Sequence, residues 1–339
     1  RVRTVRMRFW VALLVLAVVA GCQSLAYYTQ AIGGHFKVLA SARPVSDWLT
    51  DPATPPELKA RLETARRIRE FASNNLGLPD NGSYLSYADI DRPYVVWNVF
   101  AAPEFSVEPK VECFPFAGCV SYRGFYSEEE ARRHAAKLRA EGYDVHVGGV
   151  PAYSTLGWSD DPLLSTFIRY PDAQLARLVF HELAHQVVYA KNDTTFNESF
   201  AVTVEEEGVR RWLESENRSG ELAAFSSVQA RKRDLAERVN QARERLKAVY
   251  ASDLAREQKL EQKSAEWQRL RSAYPALPVE PNNAFLASVA VYTELVPAFE
   301  RLLAESGSLQ AFYRRVKDLA RDPSAREAYF TTAGYRRSS

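Results

Sequence analysis

A predominantly helical α+β fold is predicted for this chain of 339 residues, on three observations. Helical periodicity fills both ends of the sequence. Runs rich in β-branched and aromatic residues cluster between residues 83 and 168, as strands require. The segment 218–273 contains no proline and no glycine except Gly220, which predicts a long helical hairpin. These changes of character divide the chain into a leader (1–22), an N-terminal helical segment (23–80), an α+β region (81–217) and a helical C-terminal region (218–339).

The leader has its own logic. Arg1, Arg3, Arg6 and Arg8 precede the uncharged apolar stretch 9–20, too short for a membrane-spanning helix and suited to a signal-peptide core. Val19-Ala20-Gly21-Cys22 closes it and resembles a bacterial lipobox, which implies cleavage before Cys22 and lipidation of its sulfur. An ordinary signal peptide with an incidental cysteine is the alternative. Gln23, rather than Asp, follows the cysteine, which by resemblance to lipoprotein sorting points to the outer membrane. The expected location is therefore the bacterial cell envelope, with the protein held by its lipid and facing the periplasm. Met7 is the only methionine, so translation is expected to start there or at an upstream non-AUG codon. Loss of the four leader arginines takes 44 basic residues to 40, against 42 acidic. No basic surplus argues for a nucleic-acid partner. The two remaining cysteines lie in Cys113-Phe114-Pro115-Phe116-Ala117-Gly118-Cys119. An oxidising compartment favours a disulfide between them; a metal pair would need a second Cys or His cluster nearby.

In chain order, residues 57–75 have strong helical periodicity after a turn-rich connector at 44–56. Residues 94–100 and 119–125 read as strands. Ser127 is a helix N-cap followed by Glu128, Glu129 and Glu130, which suit the positive end of the helix dipole; that helix runs to 140 and stops at Gly142. Residues 143–147 form a strand, 153–158 a strand-like piece entering a turn, and 163–168 a short apolar run. Pro171-Asp172 opens a helix, residues 190–195 a polar loop, and 197–217 another helix. Within 218–273, Leu235, Val239, Leu246, Val249, Leu254 and Leu260 form a stripe. It either braces the rest of the chain or offers a face to a helical partner. Further helices are expected at 282–303 and 309–319.

The helix opened by Pro171 carries His181-Glu182-Leu183-Ala184-His185, an HExxH in an apolar setting. Positions i and i+4 share a helix face, so His181 and His185 can aim two imidazoles at one ion, with Zn²⁺ the expected cofactor. Glu182 is then placed to act as general base on a water. The same pattern on a metal-free helix is the alternative. A catalytic zinc site takes three protein ligands, and no third histidine follows at HExxHxxGxxH spacing. Glu198, at the start of the next helix, is the candidate third ligand, and Glu205, seven residues on and on the same face, a supporting partner. Glu206 and Glu207 point elsewhere, toward solvent.

HELAH followed by Asn197-Glu198-Ser199-Phe200-Ala201 resembles the gluzincin branch of zinc peptidases. Together with Cys113…Cys119 through Phe125 and Gly157-Trp158-Ser159-Asp160-Asp161-Pro162, it resembles a bacterial family of predicted aminopeptidases over most of the mature chain. The resemblance implies a zincin-like core, a small mixed sheet plus the HExxH helix, and hydrolysis of peptide bonds through a metal-activated water. The chain departs from the thermolysin pattern in having only 12 residues between His185 and Glu198, and Val202 four residues after Glu198. Tyr292 is the candidate stabiliser of the oxyanion, with Tyr189 as the alternative. Gly157 and Trp158 are candidate substrate-binding residues, since 153–158 is expected to be the edge strand that pairs with a peptide. His35, His134 and His146 show no ligand-like spacing. The competing function is a catalytically silent envelope lipoprotein that serves as a scaffold or binding module; an intact Glu182 argues against it.

Overall fold

A computed structural model describes residues 32–114, 118–275, 277 and 282–334; the leader and Cys22 lie outside the described residues. The N-terminal segment folds as α1 (residues 32–41), α2 (Val45–Thr50) and α3 (Pro56–Leu76). In α3, Pro56 occupies the first turn, where no N–H is needed, and Gly77 ends the helix at φ 66°. Its stripe Leu62, Ala65, Ile68, Ala72 and Leu76 is buried.

Three small sheets follow. β1 (Arg43–Pro44), β2 (Ser86–Ala88) and β8 (Leu163–Leu164) form a mixed sheet with β2 central. β6 (Arg123–Phe125), β3 (Val96–Pro103) and β7 (Tyr143–Val150) form an antiparallel sheet. β4 (Glu112–Phe114) and β5 (Gly118–Val120) form a hairpin closed by the Cys113–Cys119 disulfide. β3 lacks the alternation of a half-exposed strand because both its faces are covered. Trp97, Val99 and Ala101 meet Ala131, Ala135 and Leu138 of α4 (Glu128–Ala140). Phe100 and Ala102 meet Ala284 and Val291 of α9 (Asn283–Thr293). Ser127 caps α4, accepting from Glu130 N–H, as its sequence predicts.

The long hairpin is present as α7 (Ser219–Ala251) and α8 (Arg256–Ala273). Part of its stripe is covered from within the chain: Val239 and Leu246, with Ala242, pack with Leu270, Phe285, Leu286 and Val107, whereas Leu254 is exposed. The covered part braces α7 and α8 against α9 and the segment that follows β3. Two expectations are corrected. Residues 153–158 are not a strand; they have no regular secondary structure and turn at Leu156 (φ 59°) and Gly157 (φ 82°). The helix expected over 282–303 is two, α9 and α10 (Val296–Ser306), because Pro297 has no N–H to continue the α9 ladder. After α11 (Leu309–Arg321), α12 (Pro323–Thr332) starts at Asp322, whose carboxylate accepts from Ser324 and Ala325 N–H. Among the described residues one hydrophobic cluster draws side chains from positions between Val38 and Phe330, with contributions from all three segments after the leader.

Candidate metal centre and its cleft

α5 (Asp172–Val187) and α6 (Thr194–Ser215) carry the site. Asp172, in the first turn of α5, is bridged by Arg61 and by Arg218 at 2.9 Å. Leu178 through His185 are all buried. The loop between the helices turns at Asn192 (φ 66°) and is clamped by Asn197. That amide accepts from Ala190 N–H at 2.7 Å and donates to Ala190 O at 2.9 Å. Asp193 caps α6, accepting from Phe196 N–H at 3.0 Å, and pairs with Arg326 at 2.8 Å. Within the NESFA string the first four residues have separate tasks. Asn197 fixes the loop, Glu198 faces the histidines, and Ser199 Oγ accepts from Leu295 N–H at 3.3 Å. Phe200 joins Phe299, Phe312 and Tyr313 in an aromatic cluster.

His181 and His185 stand one helical turn apart with rings at 85°. Their Nε2 atoms are 3.2 Å apart, and Glu198 Oε2 lies 3.2 Å from the first and 3.6 Å from the second. Donors about 2.0 Å from a tetrahedral ion are separated by about 3.3 Å, so this triangle fits zinc. The charge balance agrees. Burial lowers the affinity of His181 for a proton, yet Glu198 and Glu205 overcome it and push its pKa up to about 10. The surrounding carboxylates call for positive charge at this point. Among the described residues His185 Nδ1 is buried with no hydrogen-bond partner, and one of the two rings is braced from behind by them. That ring is His181, whose Nδ1 is 2.8 Å from Glu205 Oε2. Arg177 Nη1 in turn donates to both Glu205 oxygens, at 3.0 and 3.1 Å.

Glu182 is buried beside the donors. Burial raises its pKa, opposed by His181 and His185 and reinforced by Glu198 and Glu205. All four residues border a cleft of about 430 Å³ whose walls come from β3, β6, the 150–156 segment and α9. Tyr292 lines this cleft, and burial, then Glu198 and Glu182, drive its hydroxyl well above the ordinary phenol value. Tyr189, one turn past His185, also lines the cleft. Glu206 turns from the site, as expected, but is half-buried against Gln229 and Arg233 rather than free in solvent; Glu207 pairs with Arg210 and Arg211.

Sequence reasoning missed Tyr122. Its hydroxyl donates to Glu198 Oε1 at 3.4 Å. The bridged β4–β5 hairpin brings it there by docking on the loop between α5 and α6. Cys119 N–H donates to Asn192 Oδ1 at 2.8 Å and Ser121 N–H to Thr194 Oγ1 at 3.3 Å. The place of Tyr122 three residues after Cys119 does not by itself encode this contact. Gly157 and Trp158, the expected substrate-binding residues, are not among the residues that line this cleft. The positive-φ turn leaves Leu156 facing the cleft and Trp158 82 % exposed outside it. Gly157 instead packs near Gln186, where a Cβ would lie 3.5 Å from Oε1.

Fold and site together define a helical α+β protein in which two adjoining helices present a buried two-histidine, one-glutamate donor set. A family model described as "Putative aminopeptidase" matches residues 26–330, and the chain belongs to that family. No curated protein and no solved structure matches it.

Proposed function

We propose that the chain is a zinc-dependent peptidase of the gluzincin type with a zincin-like core, an aminopeptidase as its family's description implies. We further propose that it is held by a lipid on Cys22 at the periplasmic face of the bacterial outer membrane. One observation carries the catalytic reading: the Nε2 atoms of His181 and His185 and a Glu198 oxygen meet at 3.2–3.6 Å inside a cleft that also holds Glu182. His181, His185 and Glu198 would hold the ion, which when bound supplies Lewis acidity, polarising a carbonyl and acidifying a water. Glu182 accepts the proton of the attacking water and delivers it to the leaving amine. Burial raises the affinity of Glu182 for that proton. Tyr292 borders the same space with a hydroxyl that stays protonated and can donate to the oxyanion, while the Tyr122 hydroxyl donates to Glu198. Glu205, oriented by Arg177, fixes the His181 ring so that Nε2 faces the site.

Metal analysis of the purified protein, joined to a cleavage profile on peptides with free and acetylated N-termini, tests this. Cleavage restricted to free N-termini is expected. Glu182→Gln should keep its metal and lose about 10²–10⁴-fold in kcat/KM. A Glu182→Gln protein that binds metal and cleaves like the parent would sink the catalytic reading and leave the scaffold role.

A further inference from the structure

The most exposed large apolar side chain among the described residues is Trp158, and it does not stand alone. Ile32 and Phe36 of α1 are 55 % and 63 % exposed. They lie four residues apart and so share one helix face. The opposite face of α1 is fixed to the protein. Val38 is buried, and Gly34 lies so close to Tyr126 that a Cβ would come within 2.4 Å of its ring. His35 joins α1 to the Trp158 loop: its Nδ1 is 2.8 Å from Tyr153 Oη and its Nε2 3.2 Å from Ser159 Oγ. The loop is itself stiff. Asp161 Oδ2 accepts from Thr155 N–H at 2.8 Å and from its hydroxyl at 3.1 Å. Ile32, Phe36 and Trp158 are therefore held on two elements locked to each other, with exposed Lys37 beside them.

We infer that this face is the protein's bilayer-docking surface, with Trp158 seated among the lipid headgroups and upper acyl chains. The inference rests on lipidation at Cys22. Ile32 follows Cys22 by ten residues, so even a fully extended connection keeps it within about 36 Å of the anchored cysteine. Tryptophan concentrates at the membrane interface because its ring is apolar and its N–H polar. A lysine on the flank of such a face reaches anionic headgroups while its stem covers apolar surface. The same loop supplies Tyr153, Ser154 and Leu156 to the cleft. Docking therefore places one wall of the cleft near the bilayer surface.

The test uses the full, lipidated chain in vesicles of phosphatidylethanolamine and phosphatidylglycerol, with and without acyl-chain bromination, beside Trp158→Ala. Brominated lipid should remove a component of tryptophan emission from the parent that is missing in the variant, and Ile32→Ser/Phe36→Ser should weaken that quenching. Protein that fails to float with the vesicles overturns both the anchor and the docking surface. Protein that floats but shows no Trp158-dependent quenching overturns the docking surface alone. So does a Trp158→Ala variant that raises the peptide KM in detergent while quenching stays at the parent level, since Trp158 would then serve substrate.

Discussion

Arg177, Glu205 and His181 form a chain of hydrogen bonds that orients His181 Nε2 toward the donor triangle, whereas His185 Nδ1 has no such support among the described residues. Glu205→Gln keeps the shape but removes the charge that favours the ligating form of the ring. Metal affinity measured by competition with a chelator should fall about 10–100-fold, with little change in the fold. Unchanged affinity would show that α5 packing alone orients His181. Both glutamates were readable in the sequence, because helical spacing places positions 198 and 205 on one face. Tyr122 was not readable. Its approach to Glu198 depends on a bridged hairpin docking on a loop about 70 residues later, and no local pattern encodes that contact. Trp158 adjoins cleft residues in sequence, but a positive-φ turn at Leu156 and Gly157 separates its side chain from theirs.

The approach of α6 to α5 and α3 depends on a missing side chain. A Cβ on Gly208 would lie 2.7 Å from Phe180 Cδ2 and 2.8 Å from Leu76 Cδ1. Gly208→Ala should therefore destabilise the protein by about 1–3 kcal/mol, seen as a lower melting temperature. Because Phe180 precedes His181, metal affinity should fall with it. The β4–β5 hairpin contributes through charge. Burial opposes ionisation of Glu112, but His134 at 3.6 Å, Lys110 at 3.3 Å and Arg123 at 3.4 Å outweigh it and hold the carboxyl at about 2. A carboxylate depressed from an unfolded value of about 4.5 adds stability that is complete above that pH and is lost as pH falls toward 2. Denaturation midpoints of the parent and Glu112→Gln should therefore differ at pH 6 and converge below pH 3. Elements with local signals, such as the capped α4 and the α7–α8 hairpin, were legible in the sequence. The division of 282–303 was also signalled, by Pro297, but an apolar composition on both sides masked it.

At the scale of the molecule, the C-terminal helices support the metal ligands from behind. Phe196 and Phe200, on either side of Glu198, pack on Phe299, and Phe299 in turn touches Phe312 and Phe330. Phe299→Ala should cost about 3–5 kcal/mol and lower metal affinity although it touches no ligand. Denaturation followed with and without added zinc would show both effects. Continuity of this core was not legible, since composition changes near 80 and 217 while the packing that joins α3, α5, α6 and α11 is non-local. The site and its walls also differ in how far apart their parts lie along the chain. His181, His185 and Glu198 come from one helix–loop–helix, whereas the cleft above them is walled from residues near 96–126, 150–156 and 292. Short loops close faster than long ones, so the order of assembly follows. During refolding with Co²⁺ present, the colour of a coordinated ion should develop before Trp97 and Trp212 become shielded from a soluble quencher. The opposite order would mean that the pocket forms first and the ion enters a finished chamber.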